Sequence, residues 1–162
     1  MPGARQRRIA DALDAKILLE LVREPRATVA GIAHRVRAAR NTAQARLSRL
    51  EAEGLHPFDH RVDAAALGYP LRAHVMANLK QSRLDEVGDE LGRIPEVLEV
   101  IGVSGTADTL IQVVARDTDD LYRIAGRILA IPGVKRTRTL VTMKQMVRYR
   151  VTPLLHRTIE SS

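Results

Sequence analysis

The chain has 162 residues, 45% hydrophobic and 28% charged, enough apolar material for one domain or two small ones and no compositional case for disorder. It contains no cysteine, which excludes disulfides, thiolate-bound metal and a thiol nucleophile. No apolar run reaches the roughly 18 residues of a membrane span, and the basic stretch Met1 to Asp11 lacks the apolar segment and cleavage site of a secretory signal, so a cytoplasmic protein is expected, while the net charge of +7 points to a polyanionic partner.

The first periodic segment runs from Asp11 to Arg23, with Leu13, Ile17, Leu18 and Leu21 on one helical face, and Pro25 stops it. Thr28 can cap a second short helix, whose apolar stripe is Val29, Ile32, Ala33 and Val36. After a tight connection at Arg37 to Ala39, a third helix is predicted from about Arg40 to Glu53, with Ala43, Leu47 and Leu50 inward and Gly54 as its stop. Asn41 is an alternative cap for a helix that starts slightly later. Three short helices in residues 1–56 make a helix-turn-helix, winged-helix-like domain.

About 100° per residue turns Asn41, Gln44, Ala45 and Ser48 of the third helix away from its buried side. Arg40 and Arg46 then lie on the flanks and Arg49 toward the outer face. A helix in the major groove needs short or amide side chains at base edges and cations beside the phosphates, which is this arrangement. An arginine-rich solvated face is the plain alternative. The charge distribution favours DNA: residues 1–56 carry +5 of the +7, and Pro25 to Leu50 holds six arginines and no acid. The four aromatics, Phe58, Tyr69, Tyr122 and Tyr149, are too scattered to stack single-stranded bases, so the expected polyanion is double-stranded DNA.

Residues 57–69 read as an extended linker with a possible strand, and residues 70–150 change pattern. Leu71 to Leu79 alternates as a strand, Leu84, Val87 and Leu91 mark a helix, and strands follow at about Val97 to Val103 and Thr109 to Ala115. Leu121, Ile124, Ile128 and Leu129 mark a second helix, opened by Asp117, Asp119 and Asp120, whose charges suit its dipole. A last strand covers roughly Lys135 to Met143, with an extension through Arg150, and residues 151–162 form a tail. Ile94-Pro95-Glu96-Val97 and Ile131-Pro132-Gly133-Val134 repeat the same helix-to-strand passage. The expected fold class is α+β: the N-terminal domain plus a ferredoxin-like βαββαβ domain, with both helices on one sheet face. The uncovered face is expected to form a homodimer.

Several runs resemble one family in order and spacing. Leu13-Asp14-Ala15-Lys16-Ile17-Leu18, Arg26-Ala27-Thr28, Ile32-Ala33 and Arg46 through Gly54 are similar to the N-terminal domain of Lrp/AsnC transcriptional regulators. Asp63 to Gly68 resembles their linker, and Gly105-Thr106-Ala107-Asp108, Ile131 to Val134 and Thr137-Arg138-Thr139 resemble their regulatory domain. The resemblance spans about Leu13 to Lys144. It departs where the family begins its recognition helix with Gly-Leu-Ser, for this chain has Arg37, Ala38 and Ala39.

The resemblance implies DNA contacts from Arg40, Asn41, Gln44, Ala45, Arg46, Ser48 and Arg49. It implies an amino-acid effector at Gly105, Thr106, Ala107 and Asp108, in a cleft between two dimers that Thr137 and Thr139 line, and assembly of homodimers into an octamer. Glycine and aspartate also suit a plain hairpin connection, and the threonines suit any strand. His56 and His60 are four apart with Pro57 between them, and no nucleotide-binding, hydrolase or metalloprotease motif occurs. No catalytic residue, metal or cofactor is therefore expected. The alternatives to an effector-responsive regulator are an architectural DNA-wrapping protein and, from a similar two-domain layout, a siroheme decarboxylase.

Overall fold

A computed structural model describes residues 11–161; most of the basic N-terminal stretch, residues 1–10, lies outside the described residues. In chain order the helices are α1 (Ala12–Arg23), α2 (Val29–Val36), α3 (Arg40–Glu53), α4 (Leu84–Gly92), α5 (Thr118–Leu129) and α6 (Thr152–Glu160). The strands are β1 (Leu71–Leu79), β2 (Val97–Gly102), β3 (Thr109–Ala115) and β4 (Val134–Val141). Two compact units result, one from residues up to His60 together with Val147 onward, the other from Arg61–Met146.

In the first unit each helix start has a local cause. Asp11 and Asp14 cap α1 reciprocally, each carboxylate accepting the other's backbone N–H at 3.0 and 3.1 Å. The Thr28 hydroxyl accepts from Gly31 N at 3.1 Å and starts α2. Ile17, Ile32, Leu47 and Leu50 meet in the core, flanked by Leu13, Leu18, Leu21, Val29 and Val36; each large aliphatic buried there contributes about 1.5–3 kcal/mol. The tail is a helix rather than an extension of the sheet domain: α6 packs against α1 and buries Leu155.

The turn into α3 is made without glycine or a capping side chain. Arg37 adopts the left-handed conformation (φ 55°), alone among the described non-glycine residues, and Ala39 at the N-cap offers no acceptor to the first turn. The helix nevertheless begins at Arg40, so Asn41 sits inside it and does not cap it.

The second unit is a four-stranded antiparallel sheet in the order β2-β3-β1-β4, the split βαββαβ arrangement. Alternation in β1 and β3 sends Ala73, Val75, Ala77, Ile111 and Val113 into the core, where they meet Val87 and Leu91 of α4 and Leu121, Ile124 and Ile128 of α5. The opposite face carries Arg72, His74, Met76, Leu110, Gln112, Arg138 and Leu140 in register across three strands, so it mixes apolar and cationic groups.

Two expectations are corrected. Between the units, residues 58–61 and 64–67 form two short 3-10 turns instead of an extended linker or strand; the Asp63 carboxylate caps the second by accepting from Ala65 N, and Gly68, at φ +91°, ends it. The last strand stops at Val141. Its partner β1 begins at Leu71, and after Thr142 N donates to Arg72 O the sheet offers no further backbone to pair with. Among the described residues no helix is long and apolar enough to cross a membrane.

Candidate nucleic-acid interface and ligand-binding turn

The outer surface of α3 is set by what its inner surface buries. With Ala43, Leu47 and Leu50 packed inward, Arg40, Asn41, Gln44, Ala45 and Ser48 are all exposed, and Gln44 Nε2 donates to Ser48 Oγ at 3.3 Å. Arg46 and Arg49 behave differently. Arg46 bridges Asp11 at 2.5 Å and Asp14 at 3.1 Å, and Arg49 reaches Asp14 at 2.5 Å. Asp14 is fully buried. These two arginines thus hold α3 against the start of α1. The Asp11 carboxyl is lowered from its ordinary value by the backbone N–H of Asp14 and, against its own burial, by Arg46.

The acid-free stretch accordingly divides. Arg35 pairs with Glu20 and Glu24, and Arg46 and Arg49 pair with α1. Arg26, Arg37 and Arg40 have no acidic partner among the described residues and are exposed, which leaves their charge available to an external anion.

In the second unit the turn after β2 is tied to the end of β1. Asp108 N donates to Ala77 O, Val103 N to Asp108 O, and Asn78 Nδ2 to Thr106 O, each at 3.0 Å. The Asp108 carboxylate accepts from Leu79 N at 2.7 Å, where the β1–β4 register shifts, and from Gln81 Nε2 at 3.3 Å. Gly105 takes φ +119° with open space where a Cβ would stand. Among the described residues, the backbone N–H groups of Gly105, Thr106 and Ala107 have no acceptor.

The nominated ligand residues fall on two sides of this turn. Thr106, Ala107 and Thr137 line a concavity of about 250 Å³ with Met76, Asn78, Arg136 and Arg138. Asp108 lines a second cleft, about 530 Å³, on the helix side. Thr137 and Thr139 pair with Ala77 and Val75, so their side chains share the helix-covered face, and Thr139 lines neither space.

Three other polar groups have structural partners. Asp120 is buried and accepts from the side chains of Arg116 and Arg123, down to 2.7 Å, and from Arg116 N, which holds its carboxyl well below the usual range. It thus ties α5 to the end of β3 in addition to suiting the helix dipole. The rings of His56 and His60 stack with centroids 5.1 Å apart. No group of three metal-ligating side chains occurs among the described residues.

Comparison with known proteins places both units. Residues 4–55 match the model for winged helix-turn-helix DNA-binding domains, and residues 72–152 match the Lrp/AsnC ligand binding domain. The HTH-type transcriptional regulator Rv2324 of Mycobacterium tuberculosis is 31% identical over 85% of this chain and 94% of its own. The HTH-type transcriptional regulator FL11 of Pyrococcus horikoshii is 28% identical over 83% and 89%. Among solved structures, the feast or famine regulatory protein Rv3291c from M. tuberculosis, complexed with L-methionine, superposes with a TM-score of 0.74 at 27% identity over 86% of this chain and 96% of that one. AsnC of E. coli has the same fold, with a TM-score of 0.77 at 23% identity over 89% and 99%.

Proposed function

The chain belongs to the Lrp/AsnC family of transcriptional regulators, and on that footing we propose that it is an amino-acid-responsive regulator acting in the cytoplasm. Its helix-turn-helix unit binds DNA and its ferredoxin-like unit is the ligand-binding domain. On the DNA side, α3 enters the major groove with Arg40, Asn41, Gln44, Ala45 and Ser48 toward the bases and phosphates. Arg46 and Arg49 act mainly by holding that helix in place, with their partly exposed side chains beside the phosphates.

The observation that carries the effector reading is the turn Gly105–Asp108: three consecutive backbone N–H groups without acceptors stand next to a carboxylate. That set complements the two charges of a free amino acid, whose carboxylate takes N–H donors and whose ammonium takes an anion. A bare hairpin connection requires neither. The bound relative Rv3291c, with L-methionine, supports the same ligand class.

The subunits pair through the open sheet face, and dimers assemble further, to an octamer, so that the ligand acts by favouring one assembly geometry and thereby changes how paired α3 helices meet DNA. A thermal-shift screen of the twenty amino acids, with size measurement of the full-length protein, tests this. One amino acid should raise the melting temperature, and the species should be a dimer or larger. The Asp108→Asn variant keeps an oxygen acceptor for Leu79 N and should stay folded, but lose about 1–3 kcal/mol of amino-acid binding. A monomer that no amino acid stabilises refutes the reading.

A further inference from the structure

In the first unit a concavity of about 320 Å³ opens between α1 and the end of α2, beside the turn into α3. Leu19 and Val36 form its apolar wall, and Lys16, Glu20, Arg35 and Arg37 stand around it. Arg35 is already committed: its Nε lies 2.5 Å from the Glu20 carboxylate and its Nη2 3.2 Å from that of Glu24. Lys16 and Arg37 are exposed and have no acidic partner among the described residues, so they are the free cations of this notch.

Arg37 holds its place at a cost. Ala38 N donates to Ala33 O at 2.9 Å and Arg37 N to His34 O at 3.3 Å, which closes the end of α2 and keeps residue 37 in the left-handed conformation. Glycine is the usual occupant of such a position, because it has no Cβ to strain. Arginine takes φ 55° there instead. The helix therefore ends less favourably than it could, and what the arginine adds is a guanidinium at the mouth of the notch. Strain of this kind collects where a side chain is used, not where it only fills space.

We propose that the notch binds one phosphate of the DNA backbone, gripped between Lys16 Nζ and the Arg37 guanidinium, outside the contacts made by α3. The guanidinium fork suits two phosphate oxygens, and the ammonium supplies a further donor on a flexible stem. A backbone phosphate fits better than a free nucleotide, because the notch is open and offers no aromatic ring on which a base could stack. Arg37 also stands three residues before Arg40, the first residue of α3, so a strand lying along the start of that helix passes close to it. The site rests on the DNA reading of α3 and adds α1 to the elements anchored on the duplex.

Binding of the full-length protein to a labelled duplex of mixed sequence, followed by fluorescence anisotropy between about 50 and 200 mM salt, tests it. Arg37→Gly should raise the melting temperature and yet weaken DNA binding several-fold, opposite signs that loss of a merely structural residue would not produce. Lys16→Gln should weaken binding with the melting temperature unchanged. Because both side chains grip one phosphate, the double variant should flatten the plot of log affinity against log salt by about 0.9 in all, not by twice that. Arg37→Lys should retain most of the affinity without the gain in stability. Arg23→Gln removes the same charge from α1 outside the notch and should leave the slope nearly unchanged; equal flattening by Arg23→Gln would reduce the effect to net charge and overturn the site. A double variant with wild-type affinity and slope overturns it too, while weakening by Arg40→Ala in the same assay keeps α3 as the DNA-binding helix. If wild type binds no duplex, the DNA reading itself falls, and this proposal with it.

Discussion

Arg49 of α3 donates to the carboxylate of Asp14 of α1 at 2.5 Å, and that carboxylate has no exposure to solvent. The same oxygen takes Arg46 at 3.1 Å and the N–H of Asp11 at 3.1 Å. One buried anion thus joins the cap of the first helix to the helix assigned to DNA. The two arginine side chains are 31–40% exposed, so solvent screens part of the attraction.

Asp14→Ala should therefore destabilise the DNA-binding unit by about 2–3 kcal/mol, below the 3–5 kcal/mol of a fully buried pair. DNA affinity should fall with it. Arg40→Ala, at an exposed unpaired cation, should lower DNA affinity and flatten its salt dependence by about one counterion while leaving stability within about 0.5 kcal/mol. Denaturant melts beside fluorescence anisotropy at several salt concentrations separate the two behaviours. Equal stability of Asp14→Ala and wild type would show that the buried pairs carry nothing.

The turn into α3 should be improvable. Ala39→Ser supplies the missing N-cap and should add about 1 kcal/mol, and Arg37→Gly relieves a left-handed residue that carries a side chain, adding about 1 kcal/mol. The residues are separated by one position, so the double variant need not be additive. Thermal unfolding of the three variants checks both signs.

Asp120 makes stability acid-sensitive in one direction. Its carboxyl is depressed by the side chain of Arg116 and then by that of Arg123, so the folded state holds its proton more weakly than the unfolded chain, whose aspartates titrate near about 3.9. The contribution is complete above that pH and is lost as pH falls below about 4 toward the folded value. Asp120→Asn should lower stability at neutral pH and flatten the denaturation midpoint between about pH 4 and 2. Glu96, lowered despite its burial by its own backbone N–H and by Arg123 and Arg127, should leave a residual slope. A variant with the wild-type pH profile would remove Asp120 as its source.

The C-terminal helix should stabilise the DNA-binding unit although it is the last part of the chain. Leu155 is 8% exposed in the packing of α6 on α1. Leu155→Ala should cost about 2 kcal/mol, the lower end for a core leucine because the site is near the surface. A chain ending at Arg150 should lose at least as much, seen as a lower midpoint for the first unit. An unchanged midpoint would mean that α6 only rests on the surface.

Much of the architecture was written in local pattern. Helical period gave α1 to α3, with Ala43, Leu47 and Leu50 inward as buried, and alternation gave β1 at its observed bounds, because a side chain's face follows directly from the backbone period; a short apolar run gave β3. The turn Gly105–Asp108 was legible for the same reason: its residue types are those that a sharp backbone requires, and its order among other motifs carried the family. Where β4 ends was not legible, since its residues are good strand formers past Val141 and only the length of β1 stops the pairing. The partner of Arg49 was not legible either: 35 residues separate it from Asp14, and a wheel drawn on one helix cannot show a charge buried under another. Nor could sequence reveal the cleft on the helix side of the turn Gly105–Asp108, whose lining comes from the end of β1, α4, β2, the turn and β3 and exists only when the fold brings them together.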